Sequence, residues 1–415
     1  MQQFKPRKIK NKIISATLGI LALVFSTEVT AKTNCSINLD IFQNEAVTSL
    51  INFLTEAKIS KAQEKAFEIT TKLAQKNPDH TIISQKVSSD RYYEDELPTK
   101  LENILDEEVK SGDLPIQNFT IRDMENAKNS MKTKSDKDVK FVIYPNFDAI
   151  NLHYKDECED GSIVNLASQF NALESPINLP TAVKYWHYDR TQGPYCALQS
   201  VAGTKHREAA HLQGRLTDAI NDMLKNCKTK DGISITEQYP NLYKGGYLNL
   251  MEIKNLDDMK SFCDFLENED NLKDIKVLMQ WIKCEGTNKK QLQFFTAAPS
   301  FQSCSSRIWE SNSEIMNLRK KVCIKLVEVQ YKAMAQAAAI MSAKSGKNIK
   351  LHVCMVGHGV FNNPNETVYA ALKSLKEELT GTDTTVFLQV RPGSPNVWEK
   401  ANATNLGINW EIFKK

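Results

Sequence analysis

Residues 351–366 read Leu351-His352-Val353-Cys354-Met355-Val356-Gly357-His358-Gly359-Val360-Phe361-Asn362-Asn363-Pro364-Asn365-Glu366. The pattern predicts a buried strand ending at Gly357, a loop holding two glycines, and a helix with Asn363 as N-cap, Pro364 at its first position and Glu366 three residues after the cap. Val368, Leu372, Leu375 and Leu379 supply the apolar stripe of that helix, and Gly381 stops it. Gly357 and Gly359 let backbone approach a ligand closely, and a helix start offers unpaired N–H groups in a favourable dipole, which together suit a phosphate. The same glycines suit a plain strand-to-helix turn. The stretch is neither a P-loop nor the dinucleotide fingerprint, since Lys-Ser/Thr and a third glycine are missing.

Working outward, residues 138–400 show short apolar runs separated by loops and helical patterns. Phe141–Tyr144, Ser162–Leu166, Val277–Ile282, Leu292–Phe295, Leu351–Val356 and Thr385–Val390 read as strands. A long helix fits Glu314–Ser345, with Ser313 able to cap it and Gly346 placed to end it. Such alternation predicts an α/β layered domain. Upstream, Asn44–Asn77 is helical in period, with Ala62, Ala66, Ile69 and Leu73 on one face. Ala127–Asp138 has almost nothing to bury, so a boundary is expected there, with residues 32–137 a mainly helical N-terminal region and 401–415 a C-terminal tail.

The 415 residues, 41% hydrophobic and 25% charged, exclude a disordered or collagenous chain. Residues 1–31 hold five cations (Lys5, Arg7, Lys8, Lys10, Lys12) against one anion (Glu28), so without them the formal net charge of +3 becomes −1. A near-neutral body lacks the basic footprint of a nucleic-acid binder. Those 31 residues, with an apolar run Ile13–Phe25 and small residues at Val29 and Ala31, read as a secretory signal peptide. Export without lasting membrane insertion is therefore expected, to the periplasm or beyond. The nine cysteines are odd in number and scattered, with no C-x-x-C pair, which fits final action in a reducing host cytosol better than a disulfide framework. His206, Glu208 and His211 do not share a helical face well, and no metal is expected.

Two further stretches bear chemistry. In Ser162–Glu174 a strand leads into a loop presenting Asn165, Ser168, Gln169 and Asn171, whose amides and hydroxyls suit a sugar as well as an ordinary turn. In Tyr188–Gln199 a turn holding Gln192 and Gly193 runs into an apparent helix that contains Cys196. Gln192 ahead of Cys196 admits a cysteine hydrolase, with His187, His206, His211 or His352 as base, although Ala197-Leu198 behind the thiol suits core packing.

The pairing of a strand ending in N-x-A-S-x-x-N (Asn165, Ala167, Ser168, Asn171) with a later strand ending in G-x-G-V-F-N-N-P (Gly357 to Pro364) resembles the macrodomain family, especially its bacterial poly(ADP-ribose) glycohydrolase-like branch. The resemblance spans roughly residues 140–392 and implies a three-layer α/β/α mixed sheet, here with a helical N-terminal extension. It further implies that Asn171 contacts the distal ribose of ADP-ribose. The diphosphate would be held by Gly357, His358, Gly359, Val360 and Phe361, with Asn363 at the helix start, and no cofactor would be required. The chain departs from that branch in two places. Ala172-Leu173-Glu174 stand near where the branch has three glycines, and no paired catalytic glutamates are found. Cleavage of a ribosyl linkage wants a carboxylate to activate water, so Asp189 is the first candidate and Glu174 the second. The expectation is an exported effector that recognises ADP-ribose and hydrolyses mono-ADP-ribosyl-protein linkages. A non-catalytic ADP-ribose-binding module and a Cys196 hydrolase are the alternatives, and the helical N-terminal region offers a surface for a protein partner. Asn365 lies in an N-x-S/T sequon at the ligand loop, where a glycan would block entry, so synthesis outside the eukaryotic secretory route is expected.

Overall fold

A computed structural model describes residues 39–76, 104, 107–108, 116–131, 138–145, 152–153, 157–173, 200–212, 218–284, 287–301, 304, 306–311, 313–359, 361–390 and 406–413. The chain divides into two compact units, residues 1–42 and residues 43–415. Of the first, only residues 39–42 are described, so the expected signal segment lies outside the described residues. Among these, no helix is long and apolar enough to cross a membrane.

One eight-stranded sheet organises the larger unit: β1 (Ile116–Thr120), β2 (Lys140–Tyr144), β3 (Ile163–Ser168), β6 (Lys276–Lys283), β7 (Lys290–Ala297), β8 (Ile349–Val353), β9 (Thr384–Gln389) and β10 (Trp410–Ile412), in the spatial order β1-β6-β7-β3-β8-β9-β2-β10. The six strands from β7 to β10 are mutually parallel, while β6 runs antiparallel to both β7 and β1. A small hairpin, β4 (Tyr243–Lys244) with β5 (Tyr247–Leu248), stands apart from the sheet.

Helices cover both faces. On one side lie the long helix α6 (Glu314–Ser345), α7 (Glu366–Leu379), α5 (Leu256–Glu267) and α3 (Ile121–Asn129), with α6 touching the other three. The second half of α6 is buried all round, as its run Ala333-Met334-Ala335-Gln336-Ala337-Ala338-Ala339-Ile340 requires of a helix with no polar face. On the other side α4 (Val201–Leu212) places Arg207 against Gln280 of β6 and over the Phe295 ring of β7, 4.6 Å from its centroid. The mixed three-layer α/β/α class expected from the sequence is the one observed.

All six predicted strands form, although β8 closes at Val353 rather than Val356. Gly346 ends α6 in the left-handed conformation (φ 64°), as expected, whereas the Ser313 side chain makes no capping bond. The helical stretch after Asn44 is two helices, α1 (Leu39–Glu56) and α2 (Lys61–Lys76), parted where Ala57 turns left-handed and the Ser60 hydroxyl accepts the Gln63 N–H. The boundary expected at 127–138 does not separate folding units. Both β1 and α3 precede it, yet β1 pairs with β6 along Ile116–Thr120 and α3 packs on α6. Local composition could not reveal a strand partner 160 residues away.

The chain leaves β3 for β6 and β7 on one side of the sheet and leaves β8 through α7 for β9 on the other. β3 and β8 are neighbours, so their carboxyl ends form a topological switch point, where open α/β sheets leave a crevice for ligands.

Candidate ligand crevice at the switch point

Both motif loops emerge at this crevice because they follow adjacent parallel strands. The pairing of β3 with β8 covers only Ile163–Leu351 and Val164–His352, and beyond it the strands part. Asn165 bridges the opening: its Nδ2 donates to Thr296 Oγ1 (2.7 Å), and its Oδ1 accepts the Cys354 N–H (3.3 Å). With 2% of its surface exposed, Asn165 is a splint within the sheet rather than a sugar contact. Ser168 is also turned inward, donating its hydroxyl to the Gln169 carbonyl (2.9 Å).

Asn171 behaves differently. Its Oδ1 accepts the Leu173 N–H (3.1 Å), while its Nδ2 has no acceptor among the described residues, although the residue is only 7% exposed. Its rotamer is fixed from behind by the β4–β5 turn. Gly245 (φ 60°) and Gly246 (φ 82°) form that two-residue turn, and a Cβ on Gly246 would lie 2.6 Å from the Asn171 amide carbon and nitrogen. The hairpin also ties the loops together. Gly246 O accepts from Phe170 N (3.0 Å), Leu248 O accepts from Ser300 N beyond β7 (2.8 Å), and the Tyr247 ring meets Phe361 edge-on at 5.7 Å. In the sequence only Lys244-Gly245-Gly246-Tyr247, with the Gly-Gly signature of a two-residue turn, marks this hairpin.

The second loop is held chiefly by main-chain bonds. Gly357 adopts φ 81°, and a Cβ there would come within 2.7 Å of Asn363 and 2.9 Å of Ala298. Asn363, buried, donates Nδ2 to Pro299 O (2.7 Å), and its N–H bonds Gly357 O (2.9 Å). Phe361 O accepts from Phe301 N (3.0 Å) and Asn362 O from Trp309 Nε1 (2.7 Å). Thr367 Oγ1 gives its proton to Pro364 O (2.7 Å), so His358 Nε2, 2.8 Å away, is the donor in their contact. The N–H groups of Gly357, Gly359 and Phe361 find no acceptor among the described residues, and the space beside Gly359 is open.

The helix start corrects one expectation. α7 begins at Glu366 with Asn365 in the N-cap position and no side-chain cap, and Asn363 instead pins the loop to Pro299. Two of the first N–H groups of α7 are already used: Thr367 bonds Pro364 and Val368 bonds Asn365, while the Glu366 carboxylate pairs with Lys320 (2.9 Å). Among the described residues, Gly357, Gly359 and Phe361 of the glycine loop are the N–H donors left without an acceptor next to these. Asn365 itself is exposed.

Beside the first loop, Asp218 receives His211 Nε2 (2.8 Å) and the Tyr243 hydroxyl (2.8 Å), while the following Ala219 N–H bonds Phe170 O (2.7 Å). Burial would raise the Asp218 carboxyl, but the bonds from His211 and Tyr243 and the charges of His211 and Lys276 hold it below its ordinary value. The Tyr243 phenol is pushed far up by burial and by that carboxylate. Arg207 Nε supports the loop from below through Ala172 O (3.0 Å), where Ala172 itself is left-handed (φ 56°). On β8, burial drives His352 down to about 3, and the neutral ring accepts from Gln389 at Nδ1 (3.1 Å) and donates to Glu157 O at Nε2 (3.2 Å). It is a core histidine. His206 is likewise structural, paired with Glu108 (2.9 Å), which accepts the first N–H groups of α2.

Glu174, Asp189, Gln192, Gly193, Val360 and Cys196 lie outside the described residues. Among the described residues no cluster of His, Cys, Asp and Glu has the makings of a metal site.

Fold and loop placement define a class: a three-layer α/β protein whose two motif loops follow adjacent parallel strands at the switch point of a mixed sheet. No protein-family model matches the chain, and no curated protein does. Among solved structures it is similar to the poly(ADP-ribose) glycohydrolase of Deinococcus radiodurans in complex with ADP-ribose, at 10% identity and a TM-score of 0.37, over 70% of this chain and 93% of that one. The glycohydrolase of Thermomonospora curvata is similar at 10% identity and a TM-score of 0.33, over 72% and 88%. Both belong to the branch that the loop motifs resemble, but scores this low carry no argument about chemistry, which has to come from the crevice itself.

Proposed function

We propose that this crevice binds ADP-ribose and that the protein hydrolyses ADP-ribosyl linkages, with mono-ADP-ribosylated protein as substrate. The observation that carries the reading is the convergence of two unlike loops on one opening. One offers the Asn171 amide, whose Nδ2 has no acceptor among the described residues, and the other offers backbone N–H groups at Gly357, Gly359 and Phe361 that likewise have none among the described residues. Main-chain donors suit the diphosphate, and an amide suits a ribose hydroxyl. His358 and Phe361 complete the second wall. In the proposed reaction Asn171 orients the distal ribose and Asp189, with Glu174 as second candidate, activates water at its anomeric carbon. The bond to the acceptor breaks and the acceptor takes up the proton.

The working site is proposed to be a reducing compartment reached by export. In support, Cys158, Cys227, Cys263, Cys284, Cys304, Cys323 and Cys354 are all free thiols, six of them buried. Calorimetry of the full chain with ADP-ribose tests the reading. Saturable binding that falls at least tenfold in Asn171→Ala is expected, and no heat with wild type would refute it. The absence of paired glutamates from the sequence favours a second reading, binding without turnover. Release of ADP-ribose from a modified protein by wild type, abolished in Asp189→Ala, decides between them.

A further inference from the structure

The opening between the loops is set from behind by two consecutive residues of α6. Where β7 ends, Gln330 forms a two-way pair with the backbone of Ala297: Oε1 accepts its N–H (2.8 Å) and Nε2 donates to its carbonyl (2.9 Å). Where β8 ends, the Tyr331 hydroxyl donates to Cys354 O and accepts from Val356 N (3.0 Å). Both side chains are buried, Tyr331 fully. These bonds replace ladder bonds at the point where the sheet can no longer supply them, since β8 closes at Val353 and its pairing with β3 stops at His352. Val356 directly precedes Gly357, and Ala297 directly precedes Ala298, the residue that a Cβ on Gly357 would strike. One helix turn therefore fixes both flanks of the glycine loop without reaching the crevice.

We infer that Gln330 and Tyr331 are positioning residues that set the geometry of the diphosphate donors, so that nucleotide affinity depends on a helix that does not touch the nucleotide. The inference rests on the proposed ADP-ribose site and concerns its diphosphate half alone. A neutral, fully buried phenol is suited to the task, because burial keeps it protonated and able both to give and to accept.

The test is calorimetry of the full chain with ADP and with ADP-ribose, for wild type, Tyr331→Phe, Asn171→Ala and Ser342→Ala. Ser342 is a control on the same helix, since its hydroxyl is also buried and bonds Asp383 O (3.1 Å) away from the crevice. Tyr331→Phe is expected to weaken ADP and ADP-ribose by the same factor, about tenfold, and to deprotect the Val356 amide in hydrogen exchange. Asn171→Ala should weaken ADP-ribose more than ADP, and Ser342→Ala should weaken neither. Should Tyr331→Phe fail to fold, Gln330→Met carries the same test from the Ala297 side. Unchanged affinity in Tyr331→Phe, a loss confined to ADP-ribose, or an equal loss in Ser342→Ala would each overturn the inference while leaving the site standing. A wild-type protein that binds neither ligand overturns the site, and the inference with it.

Discussion

The two loops at the crevice solve one problem, holding backbone in strained conformations, by opposite means. The loop from Gly357 to Asn363 carries its own solution: a glycine stands at φ 81°, Asn362 takes the left-handed region that asparagine tolerates, and Asn363 folds back onto Gly357 and Pro299. The loop from Gln169 to Leu173 puts Ala172 at φ 56°, which an alanine adopts only when surroundings insist. Here the surroundings are remote, with Arg207 on the Ala172 carbonyl, Ala219 on the Phe170 carbonyl and the Gly246 turn against Asn171. The strained turn of the second loop is thus eased by its own residue types, whereas that of the first is held by segments distant along the chain.

The largest expected effect separates the two sides by pH. His352, on the strand beneath the second loop, stays neutral down to about pH 3, whereas the unfolded imidazole takes up a proton below about pH 6.5. Its contribution to stability is therefore complete above that pH and is lost as pH falls toward 3, on the order of 5 kcal/mol in all. Asp218, beside the first loop, has its carboxyl held low, so its contribution persists to lower pH and is lost only as pH falls below about 4. Hydrogen exchange during acid titration is expected to show the β8 side opening first, and His352→Gln should flatten the limb between pH 6 and 4. Simultaneous opening of both sides would break the comparison.

Next in size is Gly357→Ala. Left-handed backbone costs an L-residue about 1–2 kcal/mol, and the new Cβ also strikes Asn363 and Ala298. ADP-ribose affinity should fall roughly thirtyfold, about 2 kcal/mol by calorimetry. Gly246→Ala comes third. Its Cβ displaces the Asn171 amide, and if that amide meets the ribose alone, as proposed, ADP-ribose should lose about tenfold while ADP keeps its affinity. Loss of ADP binding in this variant would erase the proposed division of labour. Smallest is Ala172→Gly, which relieves the left-handed strain but frees the unfolded chain, so the unfolding free energy from denaturant titration should rise by no more than about 1 kcal/mol.

The strands, the long helix Glu314–Ser345 and the two loops in Leu351–Glu366 and Ser162–Glu174 could be read because each depends on a pattern within a few residues. Alternation marks the strands, Gly346 ends a helix whose length the apolar run dictates, and glycines mark backbone that must turn. Three features mislead at the level of sequence, each because its partner is far along the chain. Asn165 reads as a ligand amide until Thr296 and Cys354 are seen to occupy it. Asn363 reads as a helix cap until Pro299 is seen to take its Nδ2. Residues 116–129 read as part of a separate helical region until β1 finds β6.

By itself the sequence determined which segments become strands and helices and where the backbone must bend, since those follow from periodicity and from the conformational range of each residue. Only the tertiary structure decided that β3 and β8 lie side by side, that Gly246 locks Asn171, and that Gln330 and Tyr331 replace the missing ladder bonds. Such contacts join residues between about 25 and 190 positions apart, and burial, which decides whether an amide serves the fold or a ligand, exists only once the chain has closed on itself.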